Sequence, residues 1–595
     1  MKKSLLFSVV LAGLMLGSCS SSDDLNGGNT SANQEGNGYV SLSLNLPTRS
    51  GSMSRAENDN FDDGLVDEYA VKNGTLLLFE GADEANATFA GAYTLKNLSM
   101  NLVGTTKDNI TTTTKITQKI NSGLADGTKK FYAIVVLNNN GTLTVGTDAT
   151  LKVNGEDFPS TKKISDLQNL ELTTDASAFK TTGFLMMNAP LSSVKGGESE
   201  PTGAKISVAS KIDKDHIYAT EALAKANSSA TIYVERALAK VDVTATSTTG
   251  HLTDNTSVPY TIKGWILDNT NKKTYYLRNT SDYSGWLSLA TNATAPNNPS
   301  MPYRFVGNKP MEGGVSLYRT YWAKDPNYSS TPSPLSSDFS TIGNFAPTSL
   351  KNLGEYDYCL ENTFDVPHQN QNVTTRVIVA AQLLDDGNTF YIVNDDEANL
   401  LDATGMKNAV KAAFLSNTDV QNWLTTQLIS GEPFNGDDLE VADITGAGNN
   451  TPTVTIKSTS SSKFTGGAVP AFPTNIDNIV NAIKVATYAN GISYYPVRIK
   501  HFGDELTPWK KTESTLPSVS GSVYPSDHQA ENYLGRYGVL RNNWYTIDVE
   551  GIKKIGSPVV PEVTGDPDDE LAAYISVKIN VLSWAKRKQS AILGQ

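Results

Sequence analysis

The chain has 595 residues, of which 39% are hydrophobic and 19% are charged, and this composition is typical of a globular protein rather than a disordered one. Its formal net charge of −13 argues against nucleic-acid binding, because phosphate contacts need clustered lysine and arginine. We therefore predict a globular protein that has no nucleic-acid partner.

The first residues have the layout of an export signal. Lys2 and Lys3 precede an apolar run that is too short to span a bilayer as a mature helix. The run ends in two small residues and Cys19, the residue types that a lipoprotein signal peptidase requires. We predict that residues 1–19 are a lipoprotein signal peptide and that Cys19 is lipidated. An ordinary signal peptide that happens to contain Cys19 is the alternative.

Cysteine usage gives no disulfide framework for this exported chain. Once the signal is cleaved, Cys359 has no partner within the chain except an acylated Cys19. The stability of the protein must therefore come from buried side chains.

A strand is predicted soon after the signal, where aliphatic and polar residues alternate strictly. One face of this strand would carry Val40, Leu42, Leu44 and Leu46. Such alternation is typical of a strand that is buried on one face. The segment that follows is rich in serine and contains Arg49 and Arg55, and we predict that it is accessible to proteases.

Most of the remaining chain also predicts β-strands, because short apolar runs are separated by Thr, Ser, Asn and Gly. The clear exception lies between Asp402 and Ile429, where apolar residues recur at spacings of three and four. This periodicity predicts one or two helices. We expect a mainly β protein with a helical insertion in its second domain.

The far end of the chain repeats the pattern of the first strand. The aliphatic residues of this terminal strand are Ile575, Val577, Ile579 and Val581, and Trp584 follows closely. The preceding stretch, Ser557 to Asp569, carries three prolines and several acidic residues, which predicts a solvated linker that can swing outward.

The two terminal strands suggest a way of joining copies of the chain. Burial of four large aliphatic side chains contributes roughly 6–12 kcal/mol, so the first strand can leave its groove only if an equivalent strand replaces it. If the replacement comes from the next copy, the contact is head-to-tail and a filament results. The alternative is that each strand completes the sheet of its own domain.

Several segments resemble one known family, the fimbrillins or type V pilins of Bacteroidetes, and in particular the major shaft subunit of the minor (short) fimbria. They are Val234 to Val241, Leu360 to Thr363, Leu540 to Ile547, Gly551 to Gly556 and the terminal strand Ile575 to Val581 with Trp584. The resemblance implies two β-sandwich domains of transthyretin-like character. It implies no enzymatic activity and no cofactor.

The resemblance also implies a domain organisation. The expected units are a signal peptide (1–19), a propeptide with the removable strand (20–55), an N-terminal sandwich (56–235), a C-terminal sandwich (236–556) with a helical insertion near 402–430, and a linker with the donor strand (557–595).

The family's assembly route, carried over to this chain, starts from a lipidated precursor at the outer membrane. An Arg-specific, trypsin-like protease would cut between Arg55 and Ala56, with Arg49 as the second choice. The terminal strand of an identical subunit would then fill the vacated groove. Anchor and tip subunits and receptors on host or bacterial surfaces are the other implied partners, and adhesion and biofilm formation the implied roles.

Other chemistry has little support in the sequence. The five histidines are dispersed, and the acidic stretch with Asp437, Asp438, Glu440 and Asp443 is interpreted as a solvated turn rather than a metal site. Two alternatives to a shaft subunit remain open. One is a surface glycan-binding lipoprotein, for which Trp265 and the Tyr275-Tyr276 pair could stack on sugars. The other is a tip or accessory adhesin of a fimbria.

Overall fold

The computed structural model describes a large part of the chain. The described residues are 37–46, 68, 70–96, 98, 101–103, 111–121, 130–174, 176, 178–193, 206–280, 306–310, 317–323, 325–328, 338–343, 349–365, 368–501, 534–566 and 575–582. At 37, 45–46, 101–103, 111–115, 121, 180, 306–310, 328 and 575–582 the description covers the backbone alone.

The strands of the first part of the chain run up to the junction with the second part. They are β1 (Asn37–Leu46), β2 (Gly74–Gly81), β3 (Thr88–Thr94), β4 (Asn101–Val103), β5 (Thr111–Asn121), β6 (Lys130–Leu137), β7 (Leu143–Val145), β8 (Leu151–Val153), β9 (Glu156–Asp157), β10 (Glu171–Thr173), β11 (Met186–Asn188), β12 (Leu191–Ser192), β13 (Ile206–Ser207), β14 (Ser210–Ile212) and β15 (Ala230–Arg236).

The strands of the second part continue to the terminal segment. They are β16 (Leu238–Ala245), β17 (Thr249–His251), β18 (Pro259–Asp268), β19 (Thr270–Asn271), β20 (Lys273–Tyr275), β21 (Val306–Pro310), β22 (Tyr318–Thr320), β23 (Phe339–Ser340), β24 (Tyr356–Leu360), β25 (Arg376–Leu383), β26 (Phe390–Val393), β27 (Leu439–Val441), β28 (Gly448–Asn450), β29 (Val454–Ile456), β30 (Val485–Tyr488), β31 (Ile492–Arg498), β32 (Trp544–Ile552) and β33 (Ile575–Leu582).

The helices are fewer and mostly short. The α-helices are α1 (Ile164–Gln168), α2 (Ala178–Thr182), α3 (Glu221–Ala226), α4 (Ala403–Ser416), α5 (Thr418–Gln427) and α6 (Thr474–Ala482). The 3₁₀-helices are Glu84–Asn86, Lys214–His216, Pro326–Tyr328, Gln371–Val373, Gly436–Asp438, Ser458–Lys463 and Ala489–Gly491. No helix among the described residues is long and apolar enough to cross a bilayer. The prediction of a mainly β protein is confirmed.

The first part of the chain forms one connected sheet of nine strands. Its order is β3-β2-β6-β11-β15-β1-β5-β4, and β14 pairs with β6 beside this path. The inner strands β2 and β6 are continuous apolar runs, and their side chains are buried almost throughout, which is the pattern of strands covered on both faces. Strand β1 lies between β15 and β5 and joins β5 and β4 to the other strands of this sheet.

The second part of the chain contains two four-stranded sheets that share a core. Their orders are β24-β16-β32-β33 and β17-β18-β25-β31. Val241 and Ile547 from the first sheet and Val379 and Trp265 from the second belong to one cluster of buried side chains. The two sheets thus contribute side chains to one shared core.

A separate helical unit follows β25 along the chain. Helices α4, α5 and α6 share one buried cluster with strands β26, β30, β27 and β29, and β28 pairs with β30. Met406, Val410, Phe414 and Ile476 lie in a core of their own. Helix α4 begins where the Asp402 carboxylate accepts a hydrogen bond of 2.7 Å from the Gly405 amide. The helical periodicity seen in the sequence thus corresponds to two helices.

The chain passes from the first part to the second at Ala237.

The acidic stretch around Asp438 was predicted to be a solvated turn, and this prediction is wrong for Asp438. Asp438 does not lie in a solvated turn: it is buried and its carboxylate is 2.7 Å from the Lys463 ammonium. Burial alone would raise the pKa of Asp438, but hydrogen bonds from Lys463, the Asn435 amide and Ser460 outweigh it and lower the pKa. The carboxylate therefore holds the loop after α5 together.

Candidate functional site

Strand β1 is an inner strand of the nine-stranded sheet. On one side it pairs with β5 in an antiparallel ladder that runs from Asn37, opposite Asn121, to Leu46, opposite Thr112. On the other side its second half pairs in parallel with β15, from Leu42 opposite Ala230 onward. Strand β1 therefore connects β5 and β4 to the rest of the sheet.

The first half of β1 is also bonded on the side of β15. The Tyr39 amide donates to the Tyr218 carbonyl at 2.8 Å, and the Tyr218 amide donates back to the Tyr39 carbonyl at 2.9 Å. Further along, the Ser41 amide donates to the Ser229 hydroxyl at 2.8 Å, and the Ser229 amide donates to the Ser41 carbonyl at 2.6 Å. Both edges of β1 are thus hydrogen-bonded along most of its length.

The predicted apolar face of β1 lies in the core. Val40, Leu42 and Leu44 are 0% exposed and belong to the main cluster of the first part of the chain. The side chain of Leu46 lies outside the described residues. Burial of the three described side chains contributes about 5–9 kcal/mol to the stability of this sheet.

The terminal strand β33 has a different position. It pairs with β32 of the same chain, from Ile575 opposite Ile552 to Leu582 opposite Trp544, and it lies at the end of its four-stranded sheet. The structure places the backbones of Ile575, Val577, Ile579 and Val581 in this strand, whereas their side chains and Trp584 lie outside the description. The structure thus has the tail paired within its own domain, as the glycan-binding alternative expects.

The segment before β33 is not the solvated linker that the sequence predicts, at least up to Asp566. Ser557 and Tyr494 exchange two backbone hydrogen bonds of 3.0 and 2.8 Å. Val560 is fully buried, and the Asp566 carbonyl accepts a bond of 2.9 Å from the Gln371 amide. Proline removes few bonds here because these contacts use the carbonyls and amides of the other residues. This part of the segment is packed against the sheet of β17, β18, β25 and β31.

The residues predicted for processing lie outside the described residues. These are Cys19 for lipidation and Arg49, Arg55 and Ala56 for cleavage. In the sequence both arginines fall between β1 and Glu68, so that a cut at either would separate β1 from the domain that it completes.

Glu68 is a site residue that sequence reasoning missed. Its carboxylate is 2.8 Å from the Lys240 ammonium and accepts a hydrogen bond from the Tyr358 hydroxyl, and both side chains of the ion pair are buried. Its backbone carbonyl accepts a hydrogen bond of 2.7 Å from Arg236. No signal in the sequence around Glu68 shows this pairing, because its partners lie far along the chain. These contacts fix Glu68 at the junction between the two parts.

Three of the segments that carry the family resemblance meet at this junction. Arg278 lies 3.1 Å from Glu235 and 2.9 Å from Glu361, and Arg541 lies 2.8 Å from Glu361. Burial raises the pKa of Glu235, although Arg278 opposes the shift. Burial also lowers the pKa of Arg236 to about 10. Such a network favours one arrangement of the two parts, because any other leaves buried charges without partners.

The other residues singled out in the sequence do not converge on a site. His216 and His251 are exposed, the His368 ring pairs with Asp365, and the His501 ring is 2.5 Å from the Tyr545 hydroxyl. His528 lies outside the described residues. Among the described residues, no group of three metal-ligating side chains is found.

The aromatic residues considered for sugar stacking are buried. Trp265 and Tyr276 are 0% exposed and Tyr275 is 8% exposed, so that none of them presents a free ring face to solvent. The Trp265 indole donates a hydrogen bond of 3.2 Å to the Asn352 carbonyl. These rings are packing residues.

Comparison with known proteins bears on the second part of the chain. Residues 486–590 match the family described as "Major fimbrial subunit protein type IV, Fimbrillin, C-terminal". Through this segment the chain is similar to the fimbrillins, the family that the sequence resembles. The matched segment includes β31, β32 and β33. No curated protein matches the chain.

Solved structures of similar proteins share little sequence with this chain. A fimbrilin (FimA) from Porphyromonas gingivalis W83 is 12% identical, with 93% of this chain and 99% of that chain covered and a TM-score of 0.33. The tip fimbrial protein Mfa3 from Porphyromonas gingivalis, with C-terminal truncation, is 10% identical, with 91% and 99% covered and a TM-score of 0.27. A fimbrial assembly protein from Parabacteroides distasonis is 12% identical, with 41% and 67% covered and a TM-score of 0.22. At these identities and TM-scores, we infer nothing about this chain from the three structures.

Proposed function

We propose that this chain is a fimbrillin that forms the shaft of a cell-surface fimbria and that its subunits polymerise by exchange of a β-strand. The precursor is exported as a lipoprotein with its lipid on Cys19 at the outer membrane, and a trypsin-like protease cuts it after Arg55, or after Arg49. Two transthyretin-like sandwiches form the mature subunit, which supports adhesion and biofilm formation. The protein has a structural role and no enzymatic one.

One observation carries the proposal, namely that β1 is an inner strand whose removal divides the sheet. Without β1, the strands β5 and β4 are separated from β15 and the strands beyond it. A two-stranded ribbon is at best marginally stable in water, and unpaired edges capture other strands. Loss of Val40, Leu42 and Leu44 also opens the core. The processed subunit therefore needs a replacement strand.

The position of β33 makes it a suitable donor. In its own sheet it has one ladder of backbone hydrogen bonds, with β32. In the groove left by β1 it would have two ladders, one with β5 and one with β15. Each additional bond contributes a net 0.5–1.5 kcal/mol, or about 1 kcal/mol. The pairing of β33 with β32 of the same chain is the state of the precursor, in which β1 still occupies the groove.

The packing of Ser557 to Asp566 limits where the tail can bend. Because these residues are bonded to Tyr494 and Gln371, movement of β33 toward another subunit has to start after Asp566. The donor therefore reaches out from a fixed point on the second sandwich. Donor exchange then leaves the packing of that sandwich unchanged up to β32.

The test uses purified full-length precursor and limited trypsin treatment. We expect monomers before the cut and, after it, ladders on denaturing gels of unheated samples together with fibres in electron micrographs. The control is the double variant Arg49→Ala and Arg55→Ala, which should stay monomeric under the same treatment. Monomers that persist after a clean cut at Arg55 would contradict the proposal.

Two other functions make different predictions. A glycan-binding lipoprotein would be retained on a sugar affinity gel and would not polymerise after the cut; the burial of Trp265 and Tyr276 disfavours it. A tip or accessory adhesin would appear once per fibre. Immunogold labelling of fibres distinguishes it from a shaft subunit, which is labelled along the whole length.

A further inference from the structure

The two terminal strands match residue by residue, beyond the alternation of polar and apolar types. Residues 39–46 read YVSLSLNL and residues 574–581 read YISVKINV. Tyrosine, serine and asparagine occupy the same places, and every aliphatic position is aliphatic in both. The single change of character is Lys578, which stands where the first strand has Ser43.

The structure shows why serine at the third place matters. Ser41 is 0% exposed although it lies on the polar face of β1. Helix α3 lies against both β1 and β5, and Ser229, which bonds to the Ser41 backbone, also donates a hydrogen bond of 2.6 Å to the His216 carbonyl. The Ser41 hydroxyl has no hydrogen-bond partner among the described residues. This place therefore requires a small side chain rather than a hydroxyl group.

The next place on the same face has different surroundings. Ser43 is only half-buried, and its hydroxyl is 3.3 Å from the Ser228 hydroxyl in an exposed contact. A long polar side chain fits there because its charged end can stay in water. The place of Ser43 accepts a lysine, and the place of Ser41 does not.

We infer that the incoming strand enters the groove in one register, with Ser576 in the place of Ser41 and Lys578 in the place of Ser43. This inference rests on the proposed strand exchange and adds the feature that fixes its alignment. Ser576 then lies opposite Thr117 of β5, as Ser41 does now. Val577 takes the place of Leu42, between Ile116 and Ala230.

Every neighbouring register is worse for a definite reason. A shift of one residue moves the aliphatic side chains of the donor to the polar face and its polar side chains into the core. A shift of two residues keeps the faces but puts either Tyr574 or Lys578 in the closed place of Ser41. Overpacking or burial of an unpaired charge follows in each case.

Disulfide trapping tests the register in full-length precursor into which two further cysteines are introduced and which is then cut with trypsin. The predicted pair is Ser576→Cys with Thr117→Cys. The matched controls are Ser576→Cys with Lys119→Cys or with Lys115→Cys, which report the two shifts by two residues. Cys359 does not interfere, because it is fully buried and burial raises the pKa of its thiol.

The outcomes separate the register from strand exchange itself. We expect reducible ladders between subunits from the Thr117 pair and not from the other two. Ladders from the Lys119 or Lys115 pair instead would overturn the register and leave strand exchange standing. Fibres in micrographs without cross-links from any pair would overturn both, because the donor would then be another segment.

A second set of variants tests the closed place through side-chain size. Ser576→Leu should slow assembly at least about tenfold, whereas Ser576→Ala should assemble at close to the normal rate and Lys578→Leu no more slowly than the unmodified chain. Thermal melting of each precursor checks folding; we expect no change for Ser576→Leu, because Ser576 there lies in an edge strand opposite Gly551. Normal assembly of a folded Ser576→Leu precursor would refute the inference.

Discussion

The nine-stranded sheet and the sheet of β24, β16, β32 and β33 treat similar strands differently. In the first, β1 lies inside and runs parallel to β15; in the second, the inner strand that runs parallel to β16 is β32, and β33 lies outside it. Strands with the same alternating pattern thus have two neighbours at one end of the chain and one neighbour at the other. The alternating pattern therefore specifies which face of a strand is buried, whereas the number of hydrogen-bonded ladders depends on how many other strands lie beside it.

The largest effect should come from removing the outer strand. Deletion of residues 574–595 should abolish assembly of processed subunits, because no strand would then fill the groove, and should leave the precursor folded. Gel ladders and electron micrographs after the cut measure this. A matched deletion of residues 585–595 keeps the strand and should still assemble. Fibres formed without residues 574–595 would show that β33 is not the donor.

The next largest effect should come from Glu68, which follows both predicted cleavage sites and so stays in the subunit when β1 leaves. Glu68→Gln should lower the free energy of unfolding by about 3–5 kcal/mol, since it leaves the buried Lys240 ammonium without its counter-ion. Denaturant unfolding should show the same loss in precursor and processed subunit. Asp157→Asn, which breaks an exposed pair with Lys152, should change stability by less than about 1 kcal/mol.

A third variant affects the precursor alone. Leu42→Ala should destabilise the precursor by about 2–5 kcal/mol, because Leu42 is fully buried, whereas fibres of processed subunits should be unaffected. Ser43→Ala, on the half-buried face of the same strand, should change stability by about 0.5 kcal/mol or less. Equal losses in precursor and fibre would mean that β1 is retained after the cut.

The smallest effect concerns the charge neighbours of Lys578. In its own sheet Lys578 is opposite Asp548, but in the inferred register it is opposite Lys115, where Ser43 is now. Lys578→Ser should therefore speed assembly about twofold to fivefold. Added salt should also speed assembly of the unmodified chain, and this salt effect should vanish in Lys578→Ser. A slower variant would count against the register.

The local elements could be predicted from sequence patterns, because the signals for a strand or a helix lie within a few residues. The alternation at Val40 to Leu46 and at Ile575 to Val581 predicted two strands, and the spacing after Asp402 predicted helices, since side-chain burial follows the period of each element. The family resemblance was likewise found in short segments. Three of these segments meet at the junction of the two parts.

Which terminal strand lies inside its sheet, and which side chains join the two parts, can be seen in the tertiary structure alone. Ladder partners and ion pairs join residues far apart in sequence, such as Glu68 with Lys240 and Ser41 with Ser229, and local patterns carry no information about them. For the same reason the proline-rich composition of Ser557 to Asp569 predicted a solvated linker. Up to Asp566 its backbone is instead fixed by Tyr494 and Gln371, which composition could not reveal.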